Sequence, residues 1–274
     1  WHRRTIGLVS GTPIEKAQPL LSDLYYIQRA LEPYVELRHA STERGEKSEI
    51  ADLLSSPLSV LMLADVGNLV GSDRDAVAHW LDNGGVLVRF AGPRLAGESD
   101  DLIPVPLRTG GRALGGALSW TNPQHLAAFD PTSPFFGLSI PGDVTVARQV
   151  LAEPTIDLAG HTWARLEDGT PLVTAAKHGK GLIVLFHVTA NSEWSNLPLS
   201  GLFVDMLRRV VAQAQGVATS QADGGATDAT LAPVRTLDGF GRLGLPPATA
   251  TTLPAAGFDR MPVDPRHPPG LYGP

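Results

Sequence analysis

The chain of 274 residues contains no cysteine. Disulfide bonds, cysteine-ligated zinc, iron–sulfur clusters and thiol nucleophiles are therefore excluded. The sequence also contains no Gly-x-Ser-x-Gly motif, no His-x-x-x-His and no His-Glu-x-x-His. The signatures of a serine nucleophile on a strained turn and of a zinc-binding helix are thus missing. The sequence predicts no metal ion and no cofactor.

Long apolar runs and clusters of basic residues are also lacking. No stretch approaches the roughly 18 apolar residues that a membrane-spanning helix needs. A net charge of -6 and a pI of about 5.7 give no basic surface for nucleic acid. The chain begins with Trp1-His2-Arg3-Arg4, and basic residues beside an aromatic one are typical of the edge of a membrane helix. We expect a membrane anchor before this segment, with an ordinary shortened chain as the alternative.

The first third of the sequence alternates short apolar runs with amphipathic segments. Strands are predicted over Thr5–Val9, Val35–His39, Leu58–Ala64 and Val86–Phe90, and helices over Ser22–Leu31, Glu49–Leu54 and Asp73–Leu81. Ser72 is a candidate N-cap for the third helix, and Asn83-Gly84-Gly85 ends it. Such alternation predicts a parallel sheet with helices on both faces.

The pattern changes after Gly92-Pro93. Further strands are predicted over Asp143–Leu151, His161–Leu166, Pro171–Ala176 and Leu182–His187, followed by a helix over Leu199–Ala214 with Ser195 or Asn196 as its cap. Asp168-Gly169 between two apolar runs favours a tight hairpin turn. The sequence therefore predicts an α/β fold, a three-layer sandwich whose sheet is mainly parallel with an antiparallel meander in its second half.

Composition divides the chain near residue 215. Residues 216–230 are mostly Ala, Thr, Ser, Gly, Asp and Gln, which is typical of a flexible linker. Residues 231–274 are rich in proline, and they predict an extended arm without a closing helix or strand. We expect an α/β domain over 1–215, and over 216–274 a linker and arm truncated before a further domain.

The loop between Leu182–His187 and the last predicted helix is the first candidate site. It follows a buried strand, where open α/β folds keep functional groups. His187 and Glu193 are candidates for a general base and the carboxylate that orients it. Asn191 and Trp194 are candidate ligand-binding residues, although packing of the indole at the edge of the sheet explains Trp194 as well.

The turn after the fourth predicted strand is the second candidate. In hydrolases and amidotransferases of this architecture the nucleophile sits on such an elbow. Here the elbow holds Ala91 and Gly92, and Pro93 lacks the backbone N–H that an oxyanion hole would use. This sequence counts against acyl-transfer chemistry.

Two further groups remain as weaker candidates. Ser10 and Thr12 flank Gly11 after the first strand, where they could hold an anion. Asp65, Asp73 and Asp75 could hold Mg²⁺, although charge at a helix N-terminus explains the last two without a metal.

A family resemblance rests on three features of the sequence. They are the ladder of strands and helices over Thr5–Phe90, the Gly179-Lys180-Gly181 turn with its strand, and the sequence WSNLPLSGLFVDMLRRV over 194–210. The chain resembles the glutamine-amidotransferase-like domains of bacterial membrane proteins that begin with a BatA-type double-transmembrane region. The sequence HPPGLYG over 267–273 is similar to the segment before their C-terminal domain of unknown function. The resemblance covers most of residues 5–213 and the tail.

The resemblance implies a flavodoxin-like sandwich on a membrane-anchored protein, with this domain on the periplasmic side and the cytoplasmic face as the alternative. Active class I members use an elbow cysteine and a His-x-Glu motif. Here Ala91 or Gly92 occupies the elbow, and His187-Val188-Thr189 lacks the carboxylate. The first hypothesis is therefore a non-catalytic domain that binds a partner protein or a small ligand. The alternative is a cryptic hydrolase or carbohydrate-active domain that uses His187, Glu193 and Asp65.

Overall fold

The computed structural model describes residues 4–11, 22–39, 48–108, 117–214, 230–239, 241–247, 249–254 and 263–273. Within it the chain forms two compact units, Trp1–Ala218 and Thr219–Pro274. The first unit contains the α/β domain, and the second contains a small sheet.

The α/β domain is built on a seven-stranded sheet. Its strands are β1 (Thr5–Ser10), β2 (Glu36–His39), β3 (Val60–Ala64), β4 (Val86–Phe90), β7 (Thr162–Arg165), β8 (Pro171–His178) and β9 (Gly181–Phe186). Their order across the sheet is β2-β1-β3-β4-β9-β8-β7. The pairs from β2 to β9 are parallel, whereas β8 is antiparallel to both β9 and β7. The predicted mainly parallel sheet with an antiparallel meander is thus confirmed.

Helices cover both faces of this sheet. They are α1 (Tyr25–Leu31), α2 (Glu49–Leu54), α3 (Gly71–Asp82), α4 (Pro93–Gly97), α5 (Leu158–His161) and α6 (Gly201–Gln213). Alternate residues of β3 divide between the faces: Met62 lies in the cluster that contains α1 and α6, and Leu61 in the cluster that contains α2 and α3. Both faces of the central strands are apolar because both are covered. The result is the predicted three-layer sandwich.

The ends of two helices differ from the predictions. Helix α3 begins at Gly71, so Ser72 lies inside its first turn and provides no cap. Helix α6 is capped by Ser200, whose hydroxyl accepts a hydrogen bond from Phe203 N at 3.3 Å. Asn196 instead joins two loops, because its side chain accepts from Thr145 N and donates to Asp143 O.

A two-stranded antiparallel ribbon lies outside the main sheet. It pairs β5 (Ala117–His125) with β6 (Thr145–Val150). The sequence predicted β6 but not β5, because β5 includes Asn122-Pro123, residues that strands usually avoid. The register shifts between Ser119 and Gln124, and this irregularity accommodates the proline within the strand.

The described part of the second unit contains four strands: β10 (Thr230–Leu237), β11 (Leu243–Gly244), β12 (Leu253–Pro254) and β13 (Gly270–Gly273). The other three strands pair antiparallel with β10. The prediction of an arm without a closing strand is wrong, because the last described residues form β13 along β10.

Candidate functional site

The carboxyl ends of four neighbouring strands meet at one edge of the main sheet. In-register pairing aligns Ser10 with Ala64, Ala64 with Phe90, and Phe90 with Phe186. The residues that follow these strand ends therefore lie side by side. They include both turns that the sequence singled out, the elbow after β4 and the loop after β9.

Asp65 follows β3, and its side chain lies against the elbow after β4. Its carboxylate is mostly buried and accepts hydrogen bonds from Arg94 N at 3.0 Å and Leu95 N at 3.2 Å, which are the first free amides of α4. A Cβ built on Gly92 would lie 2.6 Å from Asp65 Oδ1 and closer still to its Cγ. Position 92 thus has no room for a side chain while Asp65 is in place.

The backbone at Asp65 is itself unusual. Its φ is 46°, in the left-handed region that residues other than glycine seldom adopt. A Cβ at Gly11 would overlap the carbonyl oxygen of Asp65, so the end of β1 also needs a residue without a side chain here. A residue keeps such a strained backbone conformation only where the surrounding structure holds it there.

Burial raises the pKa of Asp65 from 3.8 to about 6. Loss of solvation is the largest cause, and the negative charge of Asp23 adds to it. The amides of Arg94 and Leu95 and the Arg94 guanidinium act in the opposite direction.

Asp23 connects the candidate residues of the two neighbouring loops. Asn191 Nδ2 donates to Asp23 Oδ1 at 2.8 Å, and Ser10 Oγ donates to Asp23 Oδ2 at 3.4 Å. Asn191 Oδ1 in turn accepts from Glu193 N at 3.0 Å. The structure therefore brings the predicted residues Ser10 and Asn191 together through Asp23, which no motif in the sequence marked. Thr12 lies outside the described residues.

His187 is a buried structural residue. Its side chain has no exposed surface; Nδ1 lies 2.8 Å from Val150 O, and Nε2 lies 3.0 Å from Thr174 Oγ1. A neutral ring satisfies both contacts, because Nδ1–H donates to the carbonyl and Nε2 accepts from the hydroxyl. Burial lowers the pKa of His187 to about 4. The structure therefore corrects the pairing of His187 with the exposed Glu193: both ring nitrogens are engaged elsewhere.

Trp194 packs beneath the elbow, where it is 3% exposed and lies in a cluster with Ala91 and Leu95. The packing interpretation therefore fits its position. One side of the indole contacts the Arg148 guanidinium, whose central carbon is 5.8 Å from the ring centroid.

An open cleft of about 470 Å³ lies between the ribbon and the loop after β9, and we call it the Arg148–Glu193 cleft. It is lined by Ser119, Trp120, Ala147, Arg148, Glu193 and Trp194. The sequence identified only the last two of these residues. Arg148 and Trp120 were missed because the ribbon that carries them is not part of the alternating ladder.

The three candidate magnesium ligands do not meet. Asp65 binds the amides of α4, Asp73 accepts from the Ser48 hydroxyl, and Asp75 pairs with Arg74 at 3.2 Å. Across the part of the chain that the structure describes, no three His, Asp or Glu side chains form a metal-binding group.

Arg89 holds the loops behind the elbow. This residue of β4 is fully buried, and its guanidinium donates to Asp100 Oδ1 at 2.6 Å and to the carbonyl oxygens of Val66, Gly67 and Leu102. Asp100 also accepts from Leu69 N at 2.7 Å. The ion pair thus ties the segment after β3 to the segment after α4.

A second cavity, of about 360 Å³, lies along β7 at the opposite side of the sheet from β2. Phe129, Ile156 and Trp163 contribute apolar surface to it, and Asp130 and Arg165 contribute charge. Asp130 already accepts from both the amide and the hydroxyl of Thr132. None of the candidate site residues named from the sequence lines this cavity.

Comparison with known proteins shows the fold but no family. No protein-family model and no curated protein match the chain. The cytoplasmic protein STM3548 from Salmonella typhimurium aligns with a TM-score of 0.56 at 11% identity, over 76% of this chain and 98% of its own. The cytoplasmic protein STM1381 from Salmonella typhimurium LT2 aligns with a TM-score of 0.57 at 11% identity, over 77% of this chain and 99% of its own.

A ThuA-like protein from Parabacteroides merdae aligns over 83% of this chain and 94% of its own, at 14% identity. Its TM-score of 0.46 is too low to support a statement about function. Among the described residues, no helix is both long enough and apolar enough to span a membrane.

Proposed function

We propose that this chain is a non-catalytic binding domain of a membrane-anchored envelope protein. The observation that carries the non-catalytic part is the position of the Asp65 carboxylate against the elbow. Acyl transfer needs a nucleophile and free hydrogen-bond donors for the developing oxyanion. Here the Asp65 carboxylate occupies the donors of α4 and fills the space beside Gly92.

The alternative of a cryptic hydrolase has less support. That function needs an acid–base pair within about 3 Å of the atoms between which it moves protons. His187 cannot serve, because its ring lies in the core with both nitrogens hydrogen bonded. Glu193 remains as a single exposed carboxylate without the partner that the hypothesis required.

The binding part rests on the construction of the strand-end loops. A chain of hydrogen bonds through Ser10, Asp23 and Asn191 fixes the loop that carries Glu193. The Arg148–Glu193 cleft opens beside that loop. A rigid loop next to a concave, partly polar surface is typical of a ligand site.

An activity assay tests the non-catalytic part. The purified 274-residue chain is incubated with glutamine, p-nitrophenyl esters and p-nitrophenyl glycosides, and product is measured against a buffer blank. We expect no turnover above the blank, and no difference between wild type and the variants Asp65→Asn and Glu193→Gln. Turnover that either variant abolishes would overturn the proposal.

Cell fractionation tests the membrane part. The proposed anchor comes from the resemblance of most of residues 5–213 and of the tail to BatA-type membrane proteins. We expect the full gene product in the membrane fraction, resistant to alkaline extraction, and digestible by protease added to spheroplasts. Recovery in the soluble fraction would contradict the anchor, and protection from protease would place the domain on the cytoplasmic face.

A further inference from the structure

We propose that the Arg148–Glu193 cleft binds a small zwitterion, a molecule that carries both a carboxylate and an ammonium group. Free amino acids and short peptides share this chemistry. The inference rests on the proposed function, since it names the ligand class of a domain that binds without catalysis. The cleft is lined by one positive side chain, Arg148, and one negative side chain, Glu193. Each residue is held by hydrogen bonds to its neighbours.

The positive side of the cleft is Arg148. Its Nε donates to Ser119 Oγ at 2.9 Å, and its central guanidinium carbon lies over the Trp194 ring, 5.8 Å from the centroid. These two contacts restrain the guanidinium of an otherwise exposed side chain. Within the described residues, its terminal nitrogens make no hydrogen bond and no ion pair. Two parallel N–H groups of a fixed guanidinium match the two oxygens of a carboxylate.

The negative side is Glu193. Its backbone is held through Asn191, which is itself bonded to Asp23. The carboxylate is exposed, and the described part of the chain offers it no hydrogen-bond donor and no cation within 4 Å. An ammonium group has three N–H donors and a full positive charge, and a carboxylate accepts from both.

The opposite signs of the two charges select the class of ligand. Arg148 and Glu193 line the same cleft, yet among the described ion pairs none joins them. A simple anion would be attracted by Arg148 and repelled by Glu193. A simple cation would be attracted by Glu193 and repelled by Arg148. A molecule with both charges satisfies each side, so electrostatic complementarity favours the zwitterion.

The walls of the cleft are joined by backbone hydrogen bonds. Trp194 O accepts from Ala147 N at 2.9 Å and from Arg148 N at 3.1 Å, which ties the loop to β6. Trp120 forms the remaining wall, and its indole N–H donates to Asp168 at 3.1 Å. That bond leaves the half-buried ring as an apolar surface for a ligand side chain. Binding therefore needs little reorganisation of the protein.

Titration of the full chain followed by NMR of the tryptophan indole N–H groups tests the inference. The probes are alanine and the dipeptide alanyl-alanine, and they are compared with N-acetylalanine, which lacks the ammonium, and alaninamide, which lacks the carboxylate. We expect saturable shifts with alanine, the dipeptide or both. Each blocked derivative should bind at least about tenfold more weakly, because it leaves one charge of the cleft unpaired.

Substitutions locate the site. Arg148→Gln and Glu193→Gln should each weaken binding by about tenfold or more. The matched controls are Arg29→Gln and Glu32→Gln, an exposed pair 3.9 Å apart on and after α1 that does not line the cleft. These should bind like wild type. A thermal melt of each variant confirms that it is folded.

The outcomes separate the two proposals. Absence of saturable shifts, equal binding of the blocked derivatives, or insensitivity to both cleft variants would overturn the zwitterion and leave the non-catalytic proposal standing. Saturable binding of an uncharged sugar such as maltose that the cleft variants weaken would overturn the ligand class. Cleavage of alanyl-alanine during the titration would instead overturn the proposed function.

Discussion

Burial gives three polar side chains of the α/β domain their particular properties. Asp65 is mostly buried beside the amides of α4. Arg89 lies within β4 and His187 directly after β9, and both are fully buried. Each lies within a predicted strand or directly after one, but the apolar pattern does not reveal what surrounds it. The consequences of burial differ for the three and can be measured separately.

Asp65→Asn should change how stability depends on pH. Between pH 3.8 and about 6 folded Asp65 holds a proton that the unfolded chain has lost, so the contribution of Asp65 to the free energy of unfolding falls as pH rises through this window. Asparagine keeps an oxygen for the α4 amides and tolerates positive φ. We expect the variant to lack this fall and to be more stable than wild type above pH 6.

Urea denaturation from pH 4 to 7.5 checks this prediction. Asp75→Asn is the control, because it makes the same change of charge at a side chain that is 76% exposed. A variant profile parallel to that of wild type would show that Asp65 is charged throughout this range.

His187→Gln should remove a dependence of opposite sign. Between pH 6.5 and about 4 the unfolded chain binds a proton that folded His187 does not, so the contribution of His187 to stability falls by about 3 kcal/mol as pH falls through this window. We expect the variant to be less stable at pH 7 but to lose less on acidification. Denaturation curves at pH 7 and pH 4.5, with exposed His39→Gln as control, measure the difference.

Arg89→Met should be strongly destabilising. It leaves the buried Asp100 carboxylate without its cation and frees three carbonyl oxygens, and breaking such a buried pair costs about 3–5 kcal/mol. Arg74→Met breaks the exposed pair with Asp101 and should cost far less, because solvent screens exposed ion pairs. Similar costs for the two variants, from urea midpoints at pH 7, would contradict the structural role of Arg89.

At the scale of elements, local signals predicted the ladder from β1 to β4 well. Strands β1, β3 and β4 are apolar runs, whereas β2 alternates polar and apolar residues. Each is bounded by a turn or a helix, and β7 to β9 are separated by tight turns. The prediction failed where tertiary contacts decide the outcome. Strand β5 contains Asn122-Pro123 and is stabilised by pairing with β6. Asp23 has no neighbouring motif, so its bond to Asn191 could not be inferred from sequence.

The cap of α6 provides a test at this scale. Ser200→Ala removes the side-chain acceptor of Phe203 N and should cost about 1 kcal/mol. Ser195, which the sequence also suggested as a cap, is buried, and the described residues provide no hydrogen-bond partner for its hydroxyl. Ser195→Ala should therefore leave stability unchanged or raise it slightly, and equal losses in thermal melts would contradict this assignment.

For the whole molecule, the distribution of buried apolar residues is uneven. The first unit contains three hydrophobic clusters, and the second contributes only Leu253 to the buried apolar residues that the structure describes. A unit with its own extensive core is expected to fold independently.

Expression of residues 1–218 alone tests this expectation. We expect a cooperative thermal transition within about 3 °C of the corresponding transition in the full chain, because a shift of that size amounts to roughly 1 kcal/mol in a domain of this length. Full-length chain and fragment are compared by circular dichroism in the same buffer. A fragment that shows no cooperative transition would mean that the α/β domain depends on the second unit.

The antiparallel meander has a consequence for the order of folding. β8 and β9 are joined by a tight turn at Gly179-Lys180, so their pairing closes only a short loop. β9 also pairs with β4, and that contact joins residues far apart in the chain, such as Val86 and Leu182. Local pairings form faster than those that must close long loops. The hairpin can therefore assemble early and present the free edge of β9 as a template on which the parallel half of the sheet is completed.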